Sequence, residues 1–194
     1  MTKSIVILQG HPDTSKSHLC HALAEAYAKA AQDAGHTVHQ VTVADLDFPV
    51  LRSEEEWTEG PTPAGLRKTQ QLILEADHLV ILFPLWLGSL PALLKAFFEQ
   101  ILRPSLNTEG NNPLAWRRLI KGCSARIACT MGMPAFVYRL IYRAHGVKFL
   151  KRNILAFTGV GPIRTSYFGM VEGASESRRA GWLKKMAELG RSVR

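Results

Sequence analysis

The chain has 194 residues, 46% hydrophobic and 21% charged, with a formal net charge of +8 and a sequence pI of about 9.7. That balance fits one globular domain over 1–194 with ample core, and it excludes collagen-like, coiled-coil and low-complexity chains. The basic excess points either to anionic partners (phosphorylated cofactors, nucleic acid or acidic membrane surfaces) or simply to solubility. Without a long Lys/Arg run interleaved with aromatics, no nucleic acid is expected. Cys20, Cys123 and Cys129 have no metal-type spacing. With no signal segment and no run of bilayer length, they point to a reducing cytoplasm.

Ser4 to Gln9 is an apolar, β-branched run that suits a strand buried on both faces. A polar loop, Gly10 to Lys16, leads to a helical stripe of Leu19, Ala22, Leu23, Ala26, Tyr27 and Ala30. Gly35 is a helix stop. Thr37 to Val43 reads as a second strand. The acidic triplet Glu54-Glu55-Glu56 reads as a solvated face within a longer loop. A helix follows over about 64–76.

The stretch from Asp77 to Leu102 organises the rest. Leu79 to Phe83 is a strand that Pro84 ends, because proline has no N–H for the ladder. Leu85-Trp86-Leu87-Gly88 is an apolar elbow. Ser89 is a candidate helix cap, Pro91 suits a first turn, and Leu94, Phe97, Phe98, Ile101 and Leu102 share a helix face. Arg103 to Gly122 is long for a connection, so it is either functional or a subunit contact. Ala125 to Thr130 reads as a fourth strand. Met131 to Pro134 turns into a helix carrying Phe136, Tyr138, Ile141, Tyr142 and His145, with Tyr138 and His145 spaced to share a face. A further helix spans about 147–157. Ile163 to Met170 is a fifth strand, and Ser175 caps a last helix that Gly190 ends.

Alternating strands and helices predict an α/β fold: a five-stranded parallel sheet with helices on both faces. Order 2-1-3-4-5 places a ligand at the ends of strands 1 and 3. The first loop offers helix amides with partial positive charge for a phosphate, with His11, Ser17 and His18 nearby. The alternative is an ordinary cap. It lacks GxGxxG and GxxxxGK[ST], which argues against a dinucleotide Rossmann site or an Mg-nucleotide site. The elbow supplies flat apolar groups and free backbone donors of the kind a flavin ring needs, or simple core contacts. Gly132 permits close backbone approach in the third loop. No GxSxG, HExxH or CxxC pair occurs, so a bound cofactor carries the chemistry more easily than side chains do, and no metal is expected.

At Phe83-Pro84-Leu85-Trp86-Leu87-Gly88, at Leu90-Pro91-Ala92-Leu93-Leu94-Lys95-Ala96-Phe97-Phe98, and at His11-Pro12-Asp13, the chain resembles the NAD(P)H:quinone oxidoreductase family. These flavodoxin-like flavoproteins include DT-diaphorase, modulator of drug activity B and ancillary subunits of potassium-efflux systems. The resemblance spans nearly the whole chain. It implies FMN, or alternatively FAD, reduced by NAD(P)H and reoxidised by a quinone-like acceptor in ping-pong fashion. It further implies that His11, Ser17, His18, Leu19 and Cys20 hold the flavin phosphate. Pro84, Leu85, Trp86 and Leu87 would line the rings, and Thr130, Met131, Gly132 and Met133 the other edge. Tyr138 and His145 match loosely the tyrosine and histidine that face nicotinamide and quinone in some members. A homodimer is implied, with Arg103–Gly122 as a dimer element. The alternative role is a redox-sensing regulatory subunit on a membrane-protein partner.

Overall fold

The computed structural model describes residues 1–106 and 119–194. The strands are β1 (Ser4–Gln9), β2 (Thr37–Thr42), β3 (His78–Pro84), β4 (Ser124–Met131) and β5 (Ile163–Gly169). They form one parallel sheet in the order β2-β1-β3-β4-β5, as the alternation predicts. The central strands read as continuous apolar runs because both faces are covered. All seven residues of β3 are buried, whereas β2 and β5, at the edges, are partly exposed.

The helices are α1 (Leu19–Asp33), α2 (Glu54–Thr58), α3 (Ala64–Leu74), α4 (Ala92–Ile101), α5 (Ala135–Leu140), α6 (His145–Phe149) and α7 (Glu176–Ser192), with α6 running on as a π-helical turn, Leu150–Leu155. The period of two in each strand divides the core. Ile5, Ile7, Val80 and Leu82 meet α1 and α7 on one face; Val6, Leu8, Ile81 and Phe83 meet α3 and α4 on the other. Fully buried Phe83, Phe97 and Phe168 each contribute about 1.5–3 kcal/mol of transfer energy. Helices α1 and α7 lie so close that a Cβ on Gly190 would stand 2.4 Å from the Tyr27 carbonyl oxygen. Gly190 therefore does not end its helix; it admits the neighbour's backbone, and α7 continues to Ser192.

Other local readings change. The acidic triplet is exposed as expected, but it forms α2, with Ser53 accepting from the Glu56 amide. Ser89 does not cap α4. Its backbone exchanges hydrogen bonds with Trp86 at 2.9 and 3.0 Å, closing the elbow, and the helix begins after Pro91. The single helix expected through Tyr138 and His145 is broken. α5 ends at Leu140, and Arg143 and Ala144 both take φ of 51°, so the two residues do not share a helix face. The break has a packing cause: the Ala144 amide donates to the Tyr138 carbonyl at 2.9 Å, and the Tyr138 hydroxyl accepts from the Val147 amide at 3.2 Å. The core of the expected dimer element, residues 107–118, lies outside the described residues. No helix among the described residues is long and apolar enough to cross a membrane.

Candidate functional site

The chain leaves β1 toward β2 on one side and returns as β3 on the other. Their carboxyl ends diverge there and leave a crevice that helices cannot fill. A cavity of about 300 Å³ lies in it, lined by His11, His18, Leu19 and Cys20 after β1, by Pro84, Leu85 and Trp86 after β3, and by Thr130, Met131 and Gly132 after β4. Val171 and Glu172, after β5, complete it. A larger apolar cavity of about 520 Å³, lined by residues such as Trp57, Phe98, Leu102, Phe149 and Ile154, contains none of these loop ends.

The first loop is held by a local network. Asp13 accepts from the Ser15 amide and hydroxyl through Oδ1 at 2.9 and 2.6 Å, and meets His18 Nε2 through Oδ2 at 2.8 Å. The Ser15 hydroxyl, then the Ser15 amide, then His18 hold the Asp13 carboxyl far below the usual carboxylate range. His11 Nδ1 lies 3.1 Å from both the amide and the carbonyl of Asp13, so either ring tautomer finds a partner. The His11 and His18 rings stack at 3.8 Å and 18°, and His21 sits 5.7 Å from each. Burial, then His18 and His21, push the His11 pKa down to about 4. Burial and His18 lower that of His21. His11 and His21 thus favour their neutral forms in the ligand-free chain. His21 Nδ1 also accepts from the His18 amide at 3.1 Å. The Leu19 and Cys20 amides precede the first helical hydrogen bonds of α1, in which the His21 and Ala22 amides donate to the His18 carbonyl at 3.0 and 3.3 Å, and the helix dipole there favours an anion.

The remaining walls are apolar or backbone. Trp86 is half exposed and stands edge-on to His11 at 6.1 Å. The Leu85 amide donates to the Thr130 carbonyl at 2.7 Å, joining the second and third loops. Cys20 Sγ and Thr130 Oγ1, 3.1 Å apart, join the first and third. That pair is buried, and burial raises the Cys20 pKa to about 12. Cys20 is therefore a packed thiol, not a nucleophile. All three cysteines are buried and free.

Ser17, Leu87 and Met133 do not line the cavity. Ser17 is exposed and Leu87 points fully to solvent with φ of 47°. Met133 is half-buried, and its carbonyl accepts from the Met170 amide at 3.2 Å. Tyr138 is buried under the elbow: its hydroxyl donates to the Gly88 carbonyl at 3.1 Å, and burial raises its pKa to about 12. His145 is exposed at the start of α6. Sequence reasoning missed Val171 and Glu172. The strand order contained the signal, because the loop after β5 must leave the sheet beside that after β4. The Val171 amide donates to the Met131 carbonyl at 3.3 Å.

Sheet order and cavity together define a flavodoxin-like protein with its crevice at the switch point. The chain matches, over residues 3–189, the family described as having a flavodoxin-like fold, and it belongs to that family. It is 27% identical over 180 residues, 84% of each chain, to an FMN-dependent NADH:quinone oxidoreductase of Nitratidesulfovibrio vulgaris. It is 27% identical over 100 residues to an uncharacterized NAD(P)H oxidoreductase of Haemophilus influenzae, a match spanning 50% of this chain and 49% of that relative's length. The NAD(P)H:quinone oxidoreductase of Methanothermobacter marburgensis has a similar fold, with a TM-score of 0.81 at 21% identity, covering 100% of this chain and 96% of that one. An FMN-dependent NADH-azoreductase of Bacillus anthracis, solved with FMN, gives a TM-score of 0.70 at 16% identity, covering 97% and 98%.

Proposed function

We propose that the chain is an FMN-dependent NAD(P)H oxidoreductase that reduces quinones or related acceptors. One observation carries the reading: the ends of β1, β3 and β4 converge on a cavity with a histidine pair and a helix start on one wall, and Pro84, Leu85 and Trp86 on another. Relatives named as FMN-dependent quinone oxidoreductases support it. The residues fit the group. His11, His18 and the first amides of α1 would hold the phosphate. Pro84, Leu85 and Trp86 would flank the rings, and the backbone of Thr130 to Gly132 would meet their polar edge. When bound, FMN supplies the capacity to take a hydride from nicotinamide and deliver it to an acceptor.

The protein's own work is positional. His11 and His18 would offer donors to the phosphate, and the phosphate charge would raise the basicity of His11, which is lowered in the free chain. Trp86, half exposed at the cavity wall, would shield the flavin from water while leaving an entrance beside it. Glu172 adds a carboxylate on the β4–β5 side. Tyr138 acts on the elbow rather than on the reacting atoms, because both sides of its hydroxyl are engaged by backbone. His145, exposed at the start of α6 and not part of the cavity lining, would contact a substrate outside the cavity. Donor and acceptor would use the one entrance in turn, as in a ping-pong scheme, and two chains would associate as a homodimer.

The test is reconstitution. The purified chain incubated with FMN should turn yellow, keep one flavin per chain through gel filtration, and oxidise NAD(P)H when a soluble quinone is added. Initial rates at several quinone concentrations should give parallel double-reciprocal lines. A chain that retains neither FMN nor FAD would overturn the reading.

A further inference from the structure

Among the residues that line the cavity at the open end of the sheet, Glu172 is the one acid. Asp13, in the first loop, is already engaged by the Ser15 hydroxyl and by His18. The Glu172 carboxylate has no hydrogen bond or ion pair among the described residues. Its main chain, by contrast, is tied down. Arg179 on α7 donates to the Val171 and Glu172 carbonyls at 3.3 and 3.4 Å, and the Val171 amide donates to the Met131 carbonyl at 3.3 Å. A carboxylate on a fixed stem, with its acceptor oxygens unused, is available to a ligand.

Its place in the cavity says which part of a ligand it meets. Glu172 Oε1 lies 3.9 Å from where a Cβ on Gly132 would stand, against the loop after β4. His11 and His18 follow β1, and β3 separates β1 from β4 in the sheet. The cavity thus has imidazoles and helix amides at one end and a carboxylate at the other. On the flavin reading above, the phosphate takes the first end, and the polar edge of the ring meets the backbone of Thr130 to Gly132, beside the carboxylate. An ionised carboxylate only accepts hydrogen bonds. The polar edge of the oxidised ring has carbonyl and ring-nitrogen acceptors and one donor, the N3–H between its two carbonyls. A carboxylate is repelled by those acceptors and bonds that donor, with the strength of a charge-assisted contact.

We propose that Glu172 is a cofactor-contacting residue: it accepts the flavin N3–H and, through its charge, sets the reduction potential of the bound flavin. The inference rests on the flavin reading above. A hydride taken up from nicotinamide brings two electrons and one proton, so negative charge builds along the same polar edge. A carboxylate beside it opposes that charge. Glu172 therefore holds the potential low, which favours passing the hydride on to an acceptor over keeping it.

Two readouts on the full chain test it, and neither is turnover. The first is binding of FMN against 3-methyl-FMN, in which a methyl group replaces the N3 hydrogen. Wild type should favour FMN by about tenfold. Glu172→Ala should bring the two affinities within about twofold of each other, whereas Glu172→Gln, whose amide oxygen still accepts, should keep most of the preference. The second is the midpoint potential of the bound flavin, by equilibrium titration against a reference dye. Glu172→Gln should strengthen binding of reduced relative to oxidised FMN about tenfold, a rise of about 30 mV for two electrons. Melting temperatures should stay at the wild-type value, since Glu172 is exposed. A preference for FMN that survives in Glu172→Ala, or a potential unchanged in Glu172→Gln, would overturn the proposal. A wild type that binds FMN without the preference overturns this proposal alone; a wild type that binds no flavin overturns the flavin reading with it.

Discussion

Trp86 and His11 concentrate the local chemistry of the cavity. Trp86 is half exposed, so it contributes little to the core, and its wall is its main use. Trp86→Ala should weaken FMN binding about fivefold, corresponding to about 1 kcal/mol of aromatic contact, while the melting temperature stays nearly unchanged. Flavin-fluorescence titration checks the first and a thermal melt the second. His11, with a pKa near 4 in the ligand-free chain, gains basicity when a phosphate arrives. Binding therefore takes up a proton, and affinity falls as pH rises through the window between the free and bound pKa values. The FMN phosphate has its own ionisation near 6, so the informative quantity is a comparison. From about pH 5.5 to about 7.5, the wild type should lose FMN affinity relative to His11→Gln, while riboflavin, which lacks the phosphate, shows no such difference. An identical pH profile for the two proteins would remove His11 from the phosphate wall.

The element that decides the site is the turn between β3 and α4. It closes on itself through Trp86 and Ser89, and from outside it is pinned by two contacts of the α5–α6 region. One is the Tyr138 hydroxyl on the Gly88 carbonyl. The other is Gly146, where a Cβ would stand 2.3 Å from the Gly88 carbonyl oxygen and 2.5 Å from the Ser89 Cα. Gly146→Ala must push the turn or break the helix start, at a cost of about 1–3 kcal/mol. It should therefore lower both the melting temperature and FMN affinity. Tyr138→Phe leaves the Gly88 carbonyl and the Val147 amide without this partner, for about 1–3 kcal/mol. Its melting temperature should fall by several degrees, while Tyr138→Phe loaded at saturating FMN should retain turnover within a small factor. A collapse of turnover with unchanged stability would instead return Tyr138 to the reacting atoms.

At the scale of the molecule, acid stability follows from a second buried imidazole. His78, at the start of β3, bonds Ser124 Oγ through Nδ1 at 2.7 Å, and its Nε2 is buried with no partner among the described residues. Burial, then Arg126, Lys3 and Arg164, bring its pKa down to about 4. A folded-state pKa below the unfolded value of about 6.5 means that the unfolded chain binds more protons between those values. Stability is thus unaffected above about pH 6.5 and falls as pH drops toward 4, by on the order of 2–3 kcal/mol. Thermal melts across that range should show the loss, and His78→Leu should flatten it relative to wild type, with His11 and His21, both also lowered, contributing to the remaining slope.

Much of the fold was legible because its strands are near-continuous apolar runs, and a parallel α/β alternation permits few topologies. Pro84-Leu85-Trp86 stood out as a strand end followed by an apolar elbow, which fits a flavin wall or core contacts equally in sequence; the structure places all three on the cavity. The helix from Tyr138 to His145 was misread because its residues have helical spacing. What broke it was hydrogen bonding to Val147 and Gly88, which no local pattern records. Ser17 and Leu87 looked like ligand residues by position, but Ser17 is exposed and Leu87, with φ of 47°, points to solvent. The sequence by itself determined the five parallel strands, their order and the end of the sheet that opens, because these follow from periodicity and chain connectivity. Only the tertiary structure decided that His11 and His18 stack, that Tyr138 braces the elbow, and that Glu172 reaches the cavity. Those depend on contacts between segments far apart in the chain, and their energies are set by burial that exists only once the sheet has assembled.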